Sequence, residues 1–421
     1  MDCKRMLIPV FSLLALLLLS ITPALAQDTP WFVYLYNGRD LLRVYQDGTT
    51  ESFNVGLAEG VFVGGLEMAF SDDGSRAAFC ATSYPPAVEG QASEPPSTRL
   101  YLRDIVGQTN LFDVDLGTAI GCRIGPEGMS PDGSRIAVGV LNSMPGDPQA
   151  NADKPAWQLL VLDAATGSIV HELNADSPEA VNIFGQASGP TMPYVQSVEN
   201  NSVIFALMPW FTEGFIEAAY RWNLDSGVIE PAEGEQWEQF RLDALEATGE
   251  QVWIAADPTL PANQPMGPMP SYNVVRVVNG GGQVSTIYHN AEENPIEAEF
   301  INDGQQVAVL LNPPFDESNP GAPLQYHWVA VDRAGSVTDL STDAVFSYLR
   351  GAPGGYVRLV WDSPDQDPNN ATYRLFYTAD GQTTELWSMA GSADQFGSWE
   401  LAWAAPMPTS ESLPPFTNIN P

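Results

Sequence analysis

The chain has 421 residues, of which 44% are hydrophobic and 16% are charged, so it carries enough apolar material for a large core and is not predicted to be disordered. It has 17 Lys and Arg against 52 Asp and Glu, which gives a formal net charge of −35. This acid excess argues against nonspecific binding to nucleic acid or to an anionic membrane, because both need a basic surface.

Residues 1–26 have the pattern of a signal peptide. Lys4 and Arg5 precede an apolar run that continues to Leu19, and an Ala-x-Ala cleavage pattern ends at Ala26. We expect cleavage after Ala26 and a product that is secreted or held in the periplasm or cell envelope. No later stretch is apolar over the roughly eighteen residues that a spanning helix needs, so no membrane span is expected.

Two of the three cysteines, Cys80 and Cys122, follow the predicted cleavage site. A cysteine pair in an exported protein can oxidise to a disulfide, which would be a structural link. The sequence leaves open whether the two are bonded or free.

The next feature along the chain is a repeated hairpin. An Asp-Gly turn lies between two apolar segments in three runs: 70–79, 129–138 and 300–309. Asp-Gly supplies the positive φ of a tight turn, so each run predicts two antiparallel strands. Weaker versions occur around residues 200–201, 248–249 and 353–354.

A second turn closes a later strand in each repeat. Its glycines are Gly48, Gly107, Gly167, Gly227, Gly281, Gly335 and Gly381. Their spacing lies somewhat above the roughly 40 to 50 residues of a four-stranded propeller blade, with the excess in loops. Helical patterns are nearly absent, because Gly and Pro interrupt the chain too often. The sequence therefore predicts an all-β fold.

The two ends of the chain are predicted to share one blade. Segments 31–36, 41–45 and 50–55 supply three strands without a first one, and the segment 399–403 supplies one strand without a successor. Together with six complete units, they predict a seven-bladed β-propeller of four-stranded antiparallel blades, closed by N- and C-terminal strands in the same blade. The predicted organisation is a signal peptide at 1–26, a propeller domain at 27–405 and a flexible Pro/Ser-rich tail at 406–421.

The Ser-Pro-Asp-Gly-Ser-Arg-Ile-Ala-Val run at 130–138, with counterparts that begin at Ser71 and Asn302, resembles the repeat of TolB-type, WD-repeat-like β-propellers. The resemblance covers nearly all of the chain after residue 26. The Gly-His and Trp-Asp signatures of true WD repeats are missing. The resemblance therefore implies the propeller fold and no particular chemistry.

One rim of the predicted propeller carries six long, Pro-rich connections between the second and third strands of a blade. Loops on a rigid scaffold often bind ligands, so this rim is the candidate binding face, although blades also tolerate insertions there without function. The candidate binding residues are aromatic: Tyr84, Trp210, Phe211, Phe215 and Phe315. Such rings could stack on a sugar or anchor a protein, or they could fold over the channel mouth.

A possible calcium site lies in one of these connections. Asp365, Asp367 and Asn369 alternate as oxygen ligands of a calcium loop do, but the glycine turn and distal Glu of an EF-hand are missing. Turn-forming clusters of Asp, Asn and Pro are commoner than metal sites. Calcium is therefore a possible cofactor, and no other cofactor is expected.

No catalytic motif is evident, and no catalytic residue is predicted. His171, His289 and His327 lie in or beside apolar strands and are interpreted as packed or rim residues. Paired carboxylates remain open, because the abundance of acids makes that signal uninformative. Whether the chain is an enzyme is left uncertain, with a non-catalytic role favoured.

Two functions follow from this pattern. The main prediction is a secreted, non-catalytic binding or scaffold protein, monomeric, that presents the long-loop face to an extracytoplasmic protein or glycan. The alternative is an extracellular propeller-type hydrolase or lyase that acts on polysaccharide or peptide through carboxylates at the channel mouth.

Overall fold

A computed structural model describes most of the chain after residue 29. The described residues are 30–38, 40–55, 68–83, 97–125, 127–143, 154–184, 191–209, 219–232, 239–245, 248–261, 272–312, 326–341, 347–362, 371–391, 399–408 and 412–419. They form seven four-stranded antiparallel sheets, which are the seven blades of a β-propeller. The predicted fold class and blade count are confirmed.

The strands follow one another blade by blade. The chain begins with β1 (Phe32–Tyr36), β2 (Asp40–Tyr45) and β3 (Thr50–Asn54). Blade 1 contains β4 (Met68–Phe70), β5 (Arg76–Ser83), β6 (Ser97–Asp104) and β7 (Thr109–Gly117). Blade 2 contains β8 (Gly121–Arg123), β9 (Arg135–Leu141), β10 (Trp157–Asp163) and β11 (Ile169–Asn174). A seven-residue helix, α1 (Pro178–Phe184), leads into blade 3.

Blades 3 to 6 repeat the same order, with the first strand innermost. Blade 3 contains β12 (Thr191–Val198), β13 (Ser202–Pro209), β14 (Ala219–Asn223) and β15 (Ile229–Pro231). Blade 4 contains β16 (Gln239–Leu245), β17 (Glu250–Ala255), β18 (Val274–Val278) and β19 (Val284–His289). Blade 5 contains β20 (Asn294–Ile301), β21 (Gln306–Asn312), β22 (His327–Asp332) and β23 (Val337–Asp339). Blade 6 contains β24 (Ser347–Ala352), β25 (Gly355–Asp362), β26 (Thr372–Ala379) and β27 (Gln382–Ala390).

Blade 7 closes the ring. Its inner strand is β28 (Glu400–Ala404), and the sheet order is β28-β1-β2-β3. Antiparallel pairing joins Leu401 to Leu35 and Trp403 to Tyr34, with a register shift between Tyr34 and Leu35. The shared blade predicted from the sequence is thus confirmed. Because both ends of the chain contribute to one sheet, the inner edge of β1 is paired rather than exposed.

The repeated Asp-Gly turns explain why blades 1, 2 and 5 start with a tight hairpin. In blade 2, the hydroxyl of Ser130 donates to Asp132, and the same carboxylate accepts the backbone N–H of Ser134. Hydrogen bonds from Ser130 and Ser134 lower the pKa of the Asp132 carboxyl. Gly133, with φ of 65°, takes the left-handed conformation that the turn requires. These aspartates are turn residues, as the repeat predicts.

The hydrophobic core lies between the blades. The cluster between blades 1 and 2 contains Ala78, Leu102, Val138 and Leu160, all nearly inaccessible to solvent. The cluster between blades 5 and 6 contains Ala308, Leu310, Leu349 and Tyr356. Because each blade buries both faces against its neighbours, the side chains of an innermost strand meet those of the next innermost strand. This arrangement positions the site described below.

Residues 412–419 pack against the propeller. Phe416 is buried at 5% exposure within the core cluster of blades 4 and 5. The backbone N–H of Thr417 donates to the carbonyl of Arg333, and that of Ile419 donates to the carbonyl of Thr286. The expectation of a flexible tail therefore does not hold for residues 412–419, because an aromatic anchor and backbone pairing hold them in place.

Within the described residues, no helix is long and apolar enough to cross a membrane.

Candidate functional site

The aromatic and calcium candidates lie outside the described residues. These are Tyr84, Trp210, Phe211, Phe215, Phe315, Asp365, Asp367 and Asn369. Among the residues that the structure describes, no group of three or more His, Cys, Asp or Glu side chains is arranged to hold a metal ion. The candidate binding face and the calcium loop therefore stay predictions.

Cys80 and Cys122 are joined by a disulfide bond. Cys80 lies on β5 of blade 1 and Cys122 on β8 of blade 2, with their Cα atoms 6.0 Å apart. Both belong to the core cluster between these blades, at 1% and 5% exposure. The bond therefore links two neighbouring blades through a buried interface.

The three histidines make structural contacts. His171 meets the ring of Trp222 edge-on at 6.3 Å, and the Nε2 atom of His289 lies 3.0 Å from the carbonyl oxygen of Pro261. His327 lies 3.7 Å from a carboxylate oxygen of Glu293. These contacts are those of packed and rim side chains, as the sequence suggested.

The structure instead brings together charged residues on the innermost strands of blades 5, 6 and 7. The strands β20, β24 and β28 lie side by side in the ring. Glu297 and Glu299 lie two residues apart on β20, opposite Leu310 and Ala308 of β21. Residues two apart share a face of a strand, and Leu310 and Ala308 belong to the cluster between blades 5 and 6. Both glutamates therefore face blade 6.

Arg350 of β24 forms an ion pair with Glu299. The Glu299 side chain is 9% exposed and that of Arg350 is 26% exposed. A carboxylate in so dry a position needs a partner charge, which Arg350 supplies. The pair therefore places one ionised carboxylate in the wall of the channel.

Glu297 lies in a different environment on the same strand. Burial raises the pKa of its carboxyl above the ordinary value of 4.5, while the positive charge of Arg350 acts in the opposite direction. The residue nevertheless keeps partial exposure to solvent. It is thus a carboxyl that holds its proton to a higher pH and is still partly accessible to solvent.

Tyr348 and Glu400 complete the group. Tyr348 is hydrogen-bonded to Glu400, and burial, together with the negative charges of Glu400 and Glu297, raises the pKa of the Tyr348 phenol. The phenol therefore stays neutral over the physiological range. We call these five residues the channel cluster: Glu297, Glu299, Tyr348, Arg350 and Glu400.

The channel cluster lies towards one end of the channel. Glu400 and Tyr348 are the first and second residues of their strands, and Glu297 is the fourth of its strand. Strands alternate in direction within a blade, so the innermost strand begins at the rim where the second strand connects to the third. Glu400 and Tyr348 therefore lie towards the rim with the long connections, whereas Glu299 lies deeper along the channel.

Sequence reasoning missed this site because the chain contains so many acids. A usable signal was present in the Glu-Ala-Glu run at 297–299, which places two carboxyls on one face of a predicted inner strand. Arg350 stands in the corresponding inner strand of the next repeat. Only this combination distinguishes the pair from the other acids.

The chain was compared with known protein families, curated proteins and solved structures. No model of a known protein family matches the sequence, and no curated protein matches it either. Among solved structures, an acylaminoacyl peptidase from Pyrococcus horikoshii has a TM-score of 0.45 at 12% identity, over 85% of this chain and 52% of that one. The dipeptidyl peptidase 4 of Porphyromonas gingivalis has a TM-score of 0.39 at 11% identity, over 80% of this chain and 50% of that one.

A third structure, a putative TolB from Agrobacterium tumefaciens, has a TM-score of 0.38 at 13% identity, over 86% of this chain and 90% of that one. The seven sheets of this chain show the β-propeller that the repeat implied, whereas membership of the TolB or WD-repeat families is not established. The chain spans about half the length of the two peptidases.

The main functional prediction is corrected here. Several of the structural neighbours are peptidases, so the comparisons give the non-catalytic scaffold no support. The likeness itself extends to the fold alone at these identities, so any chemistry has to be argued from the residues of this chain.

Proposed function

We propose that this protein is an extracellular hydrolase that cleaves a polysaccharide by carboxylate acid–base chemistry in the channel cluster. The observation that carries the proposal is that Glu297 and Glu299, two residues apart, are held in unlike states. Glu297 is a carboxyl whose pKa is raised by burial, and Glu299 is ion-paired with Arg350. Two neighbouring carboxyl groups whose environments favour different protonation states are the usual basis for assigning an acid and a base.

Glu297 is assigned as the proton donor to the leaving oxygen. A carboxylic acid donates a proton near neutral pH only when its environment keeps it protonated, and its partial exposure allows contact with a bound substrate. Glu299 is assigned as the ionised partner, which activates water or stabilises the positive charge that develops at the sugar carbon.

Glycosidic bonds fit these contacts better than peptide bonds. Hydrolysis of a glycosidic bond uses two carboxyl groups on either side of the bond, one protonated and one ionised. A dyad that shares one proton needs its two carboxyls in direct contact. Here the Glu299 carboxylate is ion-paired with Arg350.

Tyr348 and Glu400 are assigned to substrate positioning. A neutral phenol with a carboxylate partner can exchange hydrogen bonds with sugar hydroxyls. Aromatic side chains from the long connections would add stacking surface at the rim, if they lie where the sequence places them. The proposal also includes export by the predicted signal peptide and repeats of TolB-type origin. It further includes a calcium ion bound by Asp365, Asp367 and Asn369.

The test is a cleavage assay with the mature chain against panels of polysaccharides, oligosaccharides and peptides. We expect release of reducing sugar ends by the wild-type chain, and a loss of kcat of about 10² to 10⁴ in Glu297→Gln. Glu385→Gln is the matched control, because Glu385 is exposed on the outer strand β27 and lies away from the channel.

Three outcomes would contradict the proposal in different ways. Full activity of Glu297→Gln would remove this residue from the chemistry. Cleavage of peptides alone, with the same loss in Glu297→Gln, would keep the site and replace the substrate class. An absence of cleavage across both panels would overturn the hydrolase assignment.

A further inference from the structure

The C-terminal segment 412–419 binds to the side of blades 4 and 5, at a site whose side chains are held in place by the blades themselves. At the centre of the site is Arg333, which follows β22 and is 6% exposed. Its Nη1 and Nη2 atoms donate to the two carboxylate oxygens of Glu250 at 3.0 and 2.7 Å. Nε and Nη2 also donate to the carbonyl oxygen of Gly304, at 2.9 and 2.7 Å. The guanidinium is thus fixed by blades 4 and 5 themselves.

The segment completes the surroundings of this guanidinium. The carbonyl oxygen of Pro414 accepts a further hydrogen bond from Nη1 of Arg333. The ring of Phe416 stacks on the guanidinium, with its centroid 4.3 Å from the Cζ atom. Phe416 is itself 5% exposed, so this cation–π contact is largely shielded from water.

Backbone pairing then continues along the segment. The N–H of Thr417 donates to the carbonyl of Arg333 at 2.9 Å, and that of Ile419 donates to the carbonyl of Thr286 at 2.9 Å. The N–H of Thr286 donates to the side chain of Asn418 at 3.1 Å. Because Thr286 lies on β19, the outermost strand of blade 4, the segment contacts a sheet edge through one backbone bond and one side-chain bond.

The composition of the segment suits this mode of binding. Leu413-Pro414-Pro415-Phe416 favours an extended polyproline conformation before it binds, so it loses little conformational entropy on docking. The segment carries no charge between Ser412 and Ile419. Its affinity therefore depends on the arginine, the aromatic ring and the backbone, and does not depend on the strong negative charge of the protein.

From these contacts we propose that blades 4 and 5 form a binding site for an extended, uncharged Pro-Pro-aromatic peptide, which residues 412–419 fill as a detachable resident ligand. The receptor half of the site is held by Glu250 and Gly304 whether or not the segment is bound. The site can therefore accept the same peptide from a separate molecule once the resident segment is weakened or removed. This inference is independent of the proposed hydrolase function.

The experiment uses a fluorescent synthetic peptide of residues 412–419, measured by fluorescence anisotropy. Two receptors are prepared: a chain that ends at Pro408, and the full-length Phe416→Ala chain, which keeps every other residue in place. We expect saturable binding to both, and binding to the full-length wild-type chain that is at least about tenfold weaker because the site is filled.

The peptide itself supplies the specificity control. A Phe416→Ala peptide is expected to bind about tenfold or more weakly than the wild-type peptide, because it lacks the ring that shields Arg333. A Pro415→Ala peptide is the matched control, since Pro415 is exposed, and it is expected to bind within about threefold. Equal binding of the Phe416→Ala and wild-type peptides would overturn the proposal. Equal binding of the wild-type peptide to the wild-type chain and to the two altered chains would also overturn it. The same holds if neither altered chain binds the peptide at about 1 mM.

Discussion

Arg350 on the inner strand of blade 6 forms an ion pair with Glu299 on the inner strand of blade 5, so the two blades meet in the channel through opposite charges. The two residues are 51 positions apart in the chain and meet only because the ring places β20 beside β24. The positive charge of the same arginine also acts on Glu297, whose environment differs from that of Glu299. One guanidinium thus influences both carboxyl groups on which the proposed chemistry depends.

Removal of Arg350 should destabilise the protein. In Arg350→Met, the Glu299 carboxylate stays buried without its partner, and we expect a loss of about 2 kcal/mol, reduced from the value for fully buried pairs because Arg350 is partly exposed. Chemical denaturation measures the change. The double variant with Glu299→Gln should recover part of the loss. Equal losses in the single and double variants would show that the pair does not couple.

The raised pKa of Glu297 makes a prediction about stability against pH. The folded state keeps this proton at pH values where the unfolded carboxyl, with an ordinary pKa of 4.5, has lost it. The native state therefore binds more protons in that window, and this group lowers stability as the pH rises through it. Glu297→Gln cannot ionise, so its stability relative to wild type should increase from pH 4 to pH 7.

Melting temperatures of both proteins across this pH range would test the prediction. Glu385→Gln is measured in parallel as a control for the substitution itself, because Glu385 is exposed on an outer strand. A constant difference for Glu297→Gln would mean that Glu297 ionises like a surface residue, and its assignment as proton donor would lose its support.

The disulfide should stabilise the junction of blades 1 and 2. It joins cysteines separated by 42 residues, and a loop of that length corresponds to about 4 kcal/mol in the chain-entropy account. We expect the free energy of unfolding of the Cys80→Ala/Cys122→Ala variant, measured by chemical denaturation, to be lower by about this amount. Reduction of the wild-type protein should reproduce most of the effect. A variant as stable as wild type would show that the bond contributes nothing beyond the packing of this interface.

A substitution at Gly74 measures how tightly blades 7 and 1 pack against each other where the ring closes. It has φ of 64°, and a Cβ at this position would lie 2.7 Å from the ring of Trp403 on β28. Gly74→Ala should therefore combine an unfavourable backbone conformation with a steric clash, at a cost of about 3 kcal/mol.

Gly227→Ala is the matched control for this prediction. Gly227 has φ of 72°, but a Cβ there would meet nothing within 4 Å, so only the backbone cost of about 1 kcal/mol is expected. Thermal unfolding of the two variants gives the comparison. Equal losses would mean that Trp403 yields to the added methyl group, and that the closure is less tightly packed than its contacts indicate.

The sequence by itself determined the blades, their number and the way in which the ends share one of them. Turn chemistry is local: Asp132 and Gly133 form the hairpin turn with their immediate neighbours, and the same residues recur at blade length. The unmatched strands at the two ends then required a common blade. The sequence also predicts a binding face in the Pro-rich connections, and this stays a prediction because most of their residues lie outside the described part of the chain.

The tertiary structure decided which residues work together. Glu297 is one acid among 52 until the ring buries it beside Arg350 and Tyr348, because burial raises its pKa against the opposing effect of the Arg350 charge. Phe416 is likewise an ordinary residue of a Pro-rich tail until Arg333 provides a cation for it to cover. Such contacts join residues from different blades, and their energy depends on a dielectric environment that only the packed ring creates.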